Sequence, residues 1–230
     1  LLFFFNKDVV MLVHLGMTGK FFFVNRKRTK YKTSFYYDIN EDKDKKHDRI
    51  IFNLSNNQKL IYNDVRKFGF IKFIQRASLE QNAHLKHLGP EPMSAKFNIG
   101  YFKDYTTGKE RNIKNILMDQ KFISGLGNIY VNEILFLSGV KPVKKIKKLT
   151  DVEIKKIIKF TKKIISKAII LGGSSIKDFS SSSGKKGSFQ QYFNVYGKKG
   201  ENCPKVKCKG KIKKIVVSNR GSFFCNKCQK

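Results

Sequence analysis

All four cysteines of this 230-residue chain fall in its last 28 residues, as Cys203-x4-Cys208 and Cys225-x2-Cys228 with sixteen residues between the pairs. Two close pairs at such a separation suit tetrahedral thiolate coordination of one zinc ion, each pair gripping one side of the ion from a tight turn. The runs KIKKIVV and SFF between them are expected to form a β-hairpin across the metal. Two disulfides are the competing reading. They fit less well, because the remaining 202 residues hold no cysteine and the N-terminal stretch does not read as a secretory signal. Four thiolates leave no coordination position for water, so the expected zinc is structural and takes no part in catalysis.

Charge narrows the partner. There are 48 Lys+Arg against 17 Asp+Glu, a formal net charge of +31. A charge that large repels itself unless an anion is near, which points to nucleic acid or to an anionic membrane surface. No run approaches the ~18 apolar residues of a membrane span, and the leading LLFFFNKDVVMLVHL is broken by Asn6, Lys7 and Asp8. Abundant Lys, Asn, Ile and Phe also fit an AT-rich coding sequence, which raises lysine for reasons unrelated to binding. With 40% hydrophobic residues the chain is globular rather than disordered.

Residues 1–76 read as β. LLFFF, VVMLVHL, KFFFV, TSFYYDI, RIIFNLS, QKLIYND and GFIKFI are short aromatic and β-branched runs whose close spacing predicts a sandwich or barrel. Residues 25–32 and 40–46 are charged connectors. Residues 77–95, with Pro90 and Pro92, read as an interdomain linker. Residues 96–189 form a helical domain ending in a flexible, phosphate-friendly loop, SSSSGKKGS. Within it, Ile154, Ile157, Ile158, Thr161, Ile164, Ile165, Ala168 and Ile169 keep helical spacing, behind a Thr150–Glu153 capping box. Residues 190–230 form the metal-binding segment.

The stretch Leu117–Glu133 has the densest signal outside the cysteines. A helix end runs into Gly125 and Gly127, and Asn128 is the expected N-cap of a second helix. The exposed N–H groups there would suit an anion such as a nucleic-acid phosphate. A plain helix–loop–helix with glycines for packing explains the same spacing.

The residues from Asp119 to Pro142, DQKFISGLGNIYVNEILFLSGVKP, resemble the helix–two-turn–helix of formamidopyrimidine-DNA glycosylases and their endonuclease VIII relatives. The resemblance extends to HLGMTG (His14–Gly19), NDVRKFG (Asn63–Gly69) and the closing CNKCQK, and so covers nearly the whole chain. It implies a two-lobed α+β fold: an N-terminal β-sandwich, and a helix–two-turn–helix domain with a β-hairpin zinc finger. It implies that Met17 fills the gap left by a damaged base, that Arg66 contacts the orphaned partner base, and that Phe68 wedges the opposite stack. His47, Lys114, Asn128 and Arg220 match phosphate-contacting positions, and Lys67 replaces a second arginine, keeping charge without the planar fork. Gly187, Ser188 and Phe189 match the loop that closes over a flipped base. Val65 stands where the family has proline, and the first cysteine pair has x4 where x2 is usual. Read without the resemblance, Met17 suits a strand core, Arg220 a solvated turn, and Arg66 with Phe68 a packed cation–π pair.

The family's nucleophile is an N-terminal proline amine, helped by a glutamate and a lysine. None of the three matches a residue here. Because the chain opens on Leu1 inside a strand, a fragment is expected, with that chemistry ahead of Leu1. The implied partner is double-stranded DNA carrying an oxidised base or abasic site, bound by a monomer without membrane contact. The implied location is cytoplasmic, at a bacterial nucleoid, or a DNA-containing organelle, and not secreted. Two rivals remain: a non-catalytic binder of damaged or abasic DNA, and a basic RNA-binding zinc-ribbon protein.

Overall fold

Aromatic and β-branched residues at period two dominate the first third of the chain, and they pair as antiparallel strands. The computed structural model describes residues 1–16, 18–24, 45–174 and 189–230. Met17, Gly187 and Ser188, the loop 180–188 and the predicted strand TSFYYDI lie outside the described residues. Two compact units divide the chain: residues 1–86 with 171–190, and residues 87–170 with 191–230.

In the first unit, β1 (Leu2–Phe4), β2 (Val9–His14) and β6 (Phe70–Gln75) form one sheet in the order β1-β2-β6. β3 (Lys20–Val24), β4 (Asp48–Leu54) and β5 (Gln58–Asn63) form a second, in the order β3-β5-β4. Register puts Phe21 opposite Tyr62 and Met11 opposite both Phe3 and Phe73. Met11 and Val13 from one sheet join Phe21 and Tyr62 from the other in a single buried cluster, with Phe3, Leu15 and Phe52 packed against it. Inward-facing side chains from two sheets sharing one core make a sandwich, as the strand pattern predicts. The β4–β5 register slips between Asp48 and Ile50, a bulge that re-aims the residue between them, Arg49.

The second unit is helical. Asn98 caps α1 (Ile99–Thr106) by accepting from Tyr101 N, and Asn112 caps α2 (Ile113–Leu117) by accepting from Asn115 N. α3 (Asn128–Ser138) is buried almost all round, from Val131 to Phe136, as befits a helix at the centre of its unit. It packs against α4 (Asp151–Ile170) and against the second strand of the hairpin formed by β7 (Ile212–Val217) and β8 (Arg220–Cys225). Gly139 ends α3 at φ 75, with Val140 N on Leu135 O and Gly139 N on Phe136 O, a Schellman stop. α4 buries Ile154, Ile157, Thr161, Ile164 and Ala168. Its capping box is present: Glu153 N donates to Thr150 Oγ1, and Thr150 N to Glu153 Oε2. Ile169 departs from the predicted stripe. It lies in the last turn, 65% exposed.

Asn128 is not the N-cap that its residue type suggests. Gly127 occupies that position without a side-chain cap, and the Asn128 amide donates instead to Gly221 O at 3.1 Å. A tertiary partner has taken the side chain that local propensity would use for capping. Among the described residues, no helix is long and apolar enough to cross a membrane.

Candidate nucleic-acid interface and metal centre

In the first unit, HLGMTG follows β2 and NDVRKFG joins β5 to β6, and one carboxylate holds them together. Asp64 is 1% exposed. Its Oδ1 accepts from the Thr18 hydroxyl and from Arg66 N (3.2 Å). Its Oδ2 accepts from Gly69 N (2.9 Å) and the Tyr62 hydroxyl (3.2 Å). Burial alone would raise the Asp64 carboxyl, but these four donors outweigh it and hold it below the ordinary carboxylate range. Burial, and the Asp64 charge behind it, push the Tyr62 phenol up to about 12. The turns touch closely. A Cβ on Gly16, whose φ is 61, would lie 3.0 Å from the Phe68 carbonyl carbon, and one on Gly69 would collide with the Tyr62 hydroxyl.

The loop so fixed presents Arg66, Lys67 and Phe68 outward. The Phe68 ring is 58% exposed, with the Arg66 guanidinium 4.5 Å from its centroid, so the packed cation–π reading is realised on the surface rather than in a core. Lys67 takes a left-handed φ of 57, and the proline of the family pattern is absent at Val65. Hydrogen bonding to Asp64 thus supplies the rigidity that a proline would give. Arg49, re-aimed by the bulge, donates Nε to the Asp64 main-chain carbonyl at 2.9 Å, and Asp64 N donates to His47 O at 3.0 Å. His47 therefore stands beside this loop. Its neighbour Asp48 pairs with Asn63 Nδ2 at 2.7 Å.

In the second unit the glycine turn is closed by Gln120, whose Oε1 accepts from Gly125 N and whose Nε2 donates to Leu126 O. Lys114 on α2 is 1% exposed and donates Nζ to Gly221 O and Ser222 Oγ. Burial first, and the nearby Arg220 charge second, lower the Lys114 ammonium to about 8. The Gly221 carbonyl thus receives both Lys114 and Asn128, and Asn132 Oδ1 receives Phe223 N at 2.6 Å. Ser218 and Asn219, at φ 49 and 57, make the two-residue hairpin turn, whose twist matches the strands it joins. Arg220 follows it, exposed. An open groove of about 400 Å3 runs past Arg111, Lys114, Asn115, Met118, Gln120 and Arg220.

Cys203, Cys208, Cys225 and Cys228 place their sulfurs within 4.8 Å of one another. Cys203–Cys228 and Cys208–Cys225 are each 3.7 Å apart, far beyond a disulfide bond of about 2.05 Å. Sulfurs at about 2.3 Å from one shared zinc stand about 3.8 Å apart at tetrahedral angles, so the donor set fits the ion. The x4 knuckle reaches this geometry with Lys207 at a left-handed φ of 63.

The structure thus gathers Arg66, Lys67, Phe68 and His47 in one unit, and Lys114, Asn128 and Arg220 in the other. Phe189 is 3% exposed, and its N–H donates to Gly173 O at 3.1 Å. Sequence reasoning passed over Asp64, Thr18, Gln120 and Glu133. Glu133 is 1% exposed and accepts from Asn194 N, Asn194 Nδ2, Val195 N and Tyr196 N. The available signal was a carboxylate beside the apolar run Ile134–Leu137, since such a group needs partners once buried.

A β-sandwich, a helix–two-turn–helix and a four-thiolate hairpin define a zinc-bearing DNA-repair fold, and the comparisons agree segment by segment. Residues 1–71 match the formamidopyrimidine-DNA glycosylase N-terminal domain, residues 88–180 the H2TH domain of the same enzymes, and residues 200–230 a zinc finger found in FPG and IleRS. The formamidopyrimidine-DNA glycosylase of Rickettsia bellii (strain OSU 85-389) is 40% identical over 226 residues, covering 98% of this chain and 77% of that protein. That of Rhodopseudomonas palustris (strain HaA2) is 36% identical over 226 residues, covering 96% and 76%. A Lactococcus lactis formamidopyrimidine-DNA glycosylase bound non-covalently to DNA with an AP site superposes with a TM-score of 0.79 at 32% identity, over 100% of this chain and 77% of that one. The wild-type Lactococcus lactis enzyme with N7-benzyl-Fapy-dG DNA gives 0.80 at 34% identity, over 100% and 78%. The chain belongs to the formamidopyrimidine-DNA glycosylase family.

Proposed function

We propose that this protein serves base-excision repair: it is a DNA glycosylase that removes oxidised purines, 8-oxoguanine and formamidopyrimidines, from duplex DNA, with AP-lyase elimination at the resulting site. The observation that carries the reading is the exposed Phe68 ring, held with Arg66 on a loop whose main-chain N–H groups at Arg66 and Gly69 are anchored on the buried Asp64 carboxylate. A rigidly supported exposed aromatic costs solvation without serving a core, and it suits insertion into a base stack. Arg66 then faces the orphaned base, Phe68 and Met17 fill the gap, and Lys67 and His47 lie along the backbone. Arg220 grips phosphate with its planar fork, while Lys114 and Asn128 hold the turn beneath it through Gly221. Gly187, Ser188 and Phe189 belong to the segment that closes over an extruded base. Extrusion costs least at a damaged or unpaired base, and part of the selectivity comes from that difference. Zinc at the four thiolates fixes the hairpin and takes no part in the chemistry. The protein acts as a monomer, at a bacterial nucleoid or in a DNA-containing organelle.

The test is single-turnover incubation of the full-length protein with duplex DNA carrying 8-oxoguanine opposite cytosine. Release of the damaged base with strand scission at its site is expected. Tight abasic-site binding without any base release would favour a non-catalytic damage binder instead.

A further inference from the structure

Nothing in the glycosylase reading assigns a task to Asp64, a buried carboxylate whose partners come from two separated motifs. We infer that Asp64 is a positioning residue that couples the HLGMTG motif, through Thr18, to the loop carrying Arg66 and Phe68, so that the two motifs act as one body. The inference rests on the glycosylase reading and deepens it.

Three observations carry it. One oxygen bridges the two motifs: Oδ1 takes Thr18 from the first and Arg66 N from the second, while Oδ2 takes Gly69 N and the Tyr62 hydroxyl. Thr18 also works in both directions, since its hydroxyl donates to Asp64 and accepts from Arg66 N at 3.0 Å. The backbone of one turn lies in van der Waals range of the other, as Gly16 and Phe68 show, so the carboxylate fixes a distance that sterics already make short. A buried carboxylate accepting from neutral N–H and O–H donors makes strong, charge-assisted bonds.

The charge state and the pair of acceptor oxygens are what asparagine cannot copy. An amide offers one acceptor oxygen and one NH2 donor. If the NH2 replaces Oδ2 it faces the Gly69 N–H, and if it replaces Oδ1 it faces the Arg66 N–H. Either way a main-chain donor of the loop loses its partner on Asp64 and the loop loosens on that side. Thr18→Val removes the relay from the other motif while leaving the carboxylate in place.

The experiment uses the full-length protein and the variants Asp64→Asn, Thr18→Val and the double variant. The probes are a duplex with a tetrahydrofuran abasic site, with 2-aminopurine as the neighbouring base, and the matched intact duplex. Each single variant is expected to reduce the preference for the abasic duplex by about tenfold, roughly one charge-assisted hydrogen bond. Each should also diminish the 2-aminopurine fluorescence rise that reports wedge insertion. The double variant should be no worse than Asp64→Asn alone, because both act through one coupling. The salt dependence of binding to intact duplex should not change, since no phosphate contact has been removed. That unchanged slope, with retained near-ultraviolet circular dichroism, separates loss of positioning from loss of fold. If Asp64→Asn is unfolded, Thr18→Val alone decides. Wild-type preference and fluorescence in a folded variant, or additive effects in the double, would overturn the inference. A wild-type protein without abasic preference would instead sink the glycosylase reading beneath it.

Discussion

Lys114 shows how far a single residue can sit from the role its position suggests. Sequence places it among phosphate contacts, but the structure buries its ammonium under the hairpin turn. Burial lowers that ammonium to about 8 from 10.5. Between those values the unfolded chain holds a proton that the folded chain has shed, so stability rises with pH across the window. Below pH 8 the cost of the buried cation is fully present. Chemical denaturation of the wild type and of Lys114→Met from pH 7 to 10.5 should therefore show the wild type gaining relative to the variant, by on the order of 2 kcal/mol. A flat difference would mean that the ammonium is solvated. Asp64 titrates the other way. Its carboxyl is held low, so its contribution is intact above the ordinary carboxylate range and lost as pH falls through the lowered value. The partners of neither residue could be read from the chain. The donors to Asp64 include two main-chain N–H groups and a threonine 46 positions away, and the acceptors of Lys114 lie 107 and 108 positions away.

At the level of elements, the pattern read well wherever its cause was local. Period-two strands, the Thr150–Glu153 box and the cysteine pairs depend on residues close in sequence, and the structure holds all three. The cap of α3 did not, because Asn128 is recruited by Gly221, 93 positions on. Two predictions belong here. Protein purified without added zinc should carry close to one zinc per chain. Cys225→Ser should lose it, opening the lysine-rich hairpin to trypsin while the sandwich of the first unit keeps its own unfolding transition. A zinc content near zero with thiols that titrate freely in the native state would contradict the metal centre. Glu133→Gln should destabilise the second unit by about 3 kcal/mol, because a buried carboxylate with four donors becomes an amide that cannot accept from all of them. Thermal unfolding followed by helix circular dichroism measures this directly.

For the molecule as a whole, the +31 net charge is the term that the sequence states most plainly and that specificity uses least. Phosphate neutralisation releases counterions, so affinity for any duplex should fall steeply with salt. The preference for an abasic over an intact duplex should survive that fall, because the gap-filling role proposed for Arg66 and Phe68 adds no phosphate contact. Titrations of both duplexes between 50 and 200 mM salt should give parallel lines of log affinity against log salt. Convergence of the two lines at about 0.15 M would leave only nonspecific basic binding.

The carbonyl of Gly221 bears on how this protein tolerates mutation. It is a main-chain atom, so no exchange of side chain at that position can delete it, and the hairpin end of the joint is insensitive to codon changes there. The opposite end is carried by two side chains, Lys114 and Asn128. Random substitution therefore strikes the Gly221 contact asymmetrically: exchange at 221 leaves the acceptor in place, and loss of that contact arrives from the helical side, while Ser222 remains the finger-side chain that can lose its own bond to Lys114. A saturation library scored for retained zinc and DNA binding should show two intolerant columns, at 114 and 128, facing a permissive one at 221. There a Cβ would meet the Lys214 stem at 3.3 Å and the Phe223 ring at 3.6 Å, so small side chains are the ones expected to be accepted.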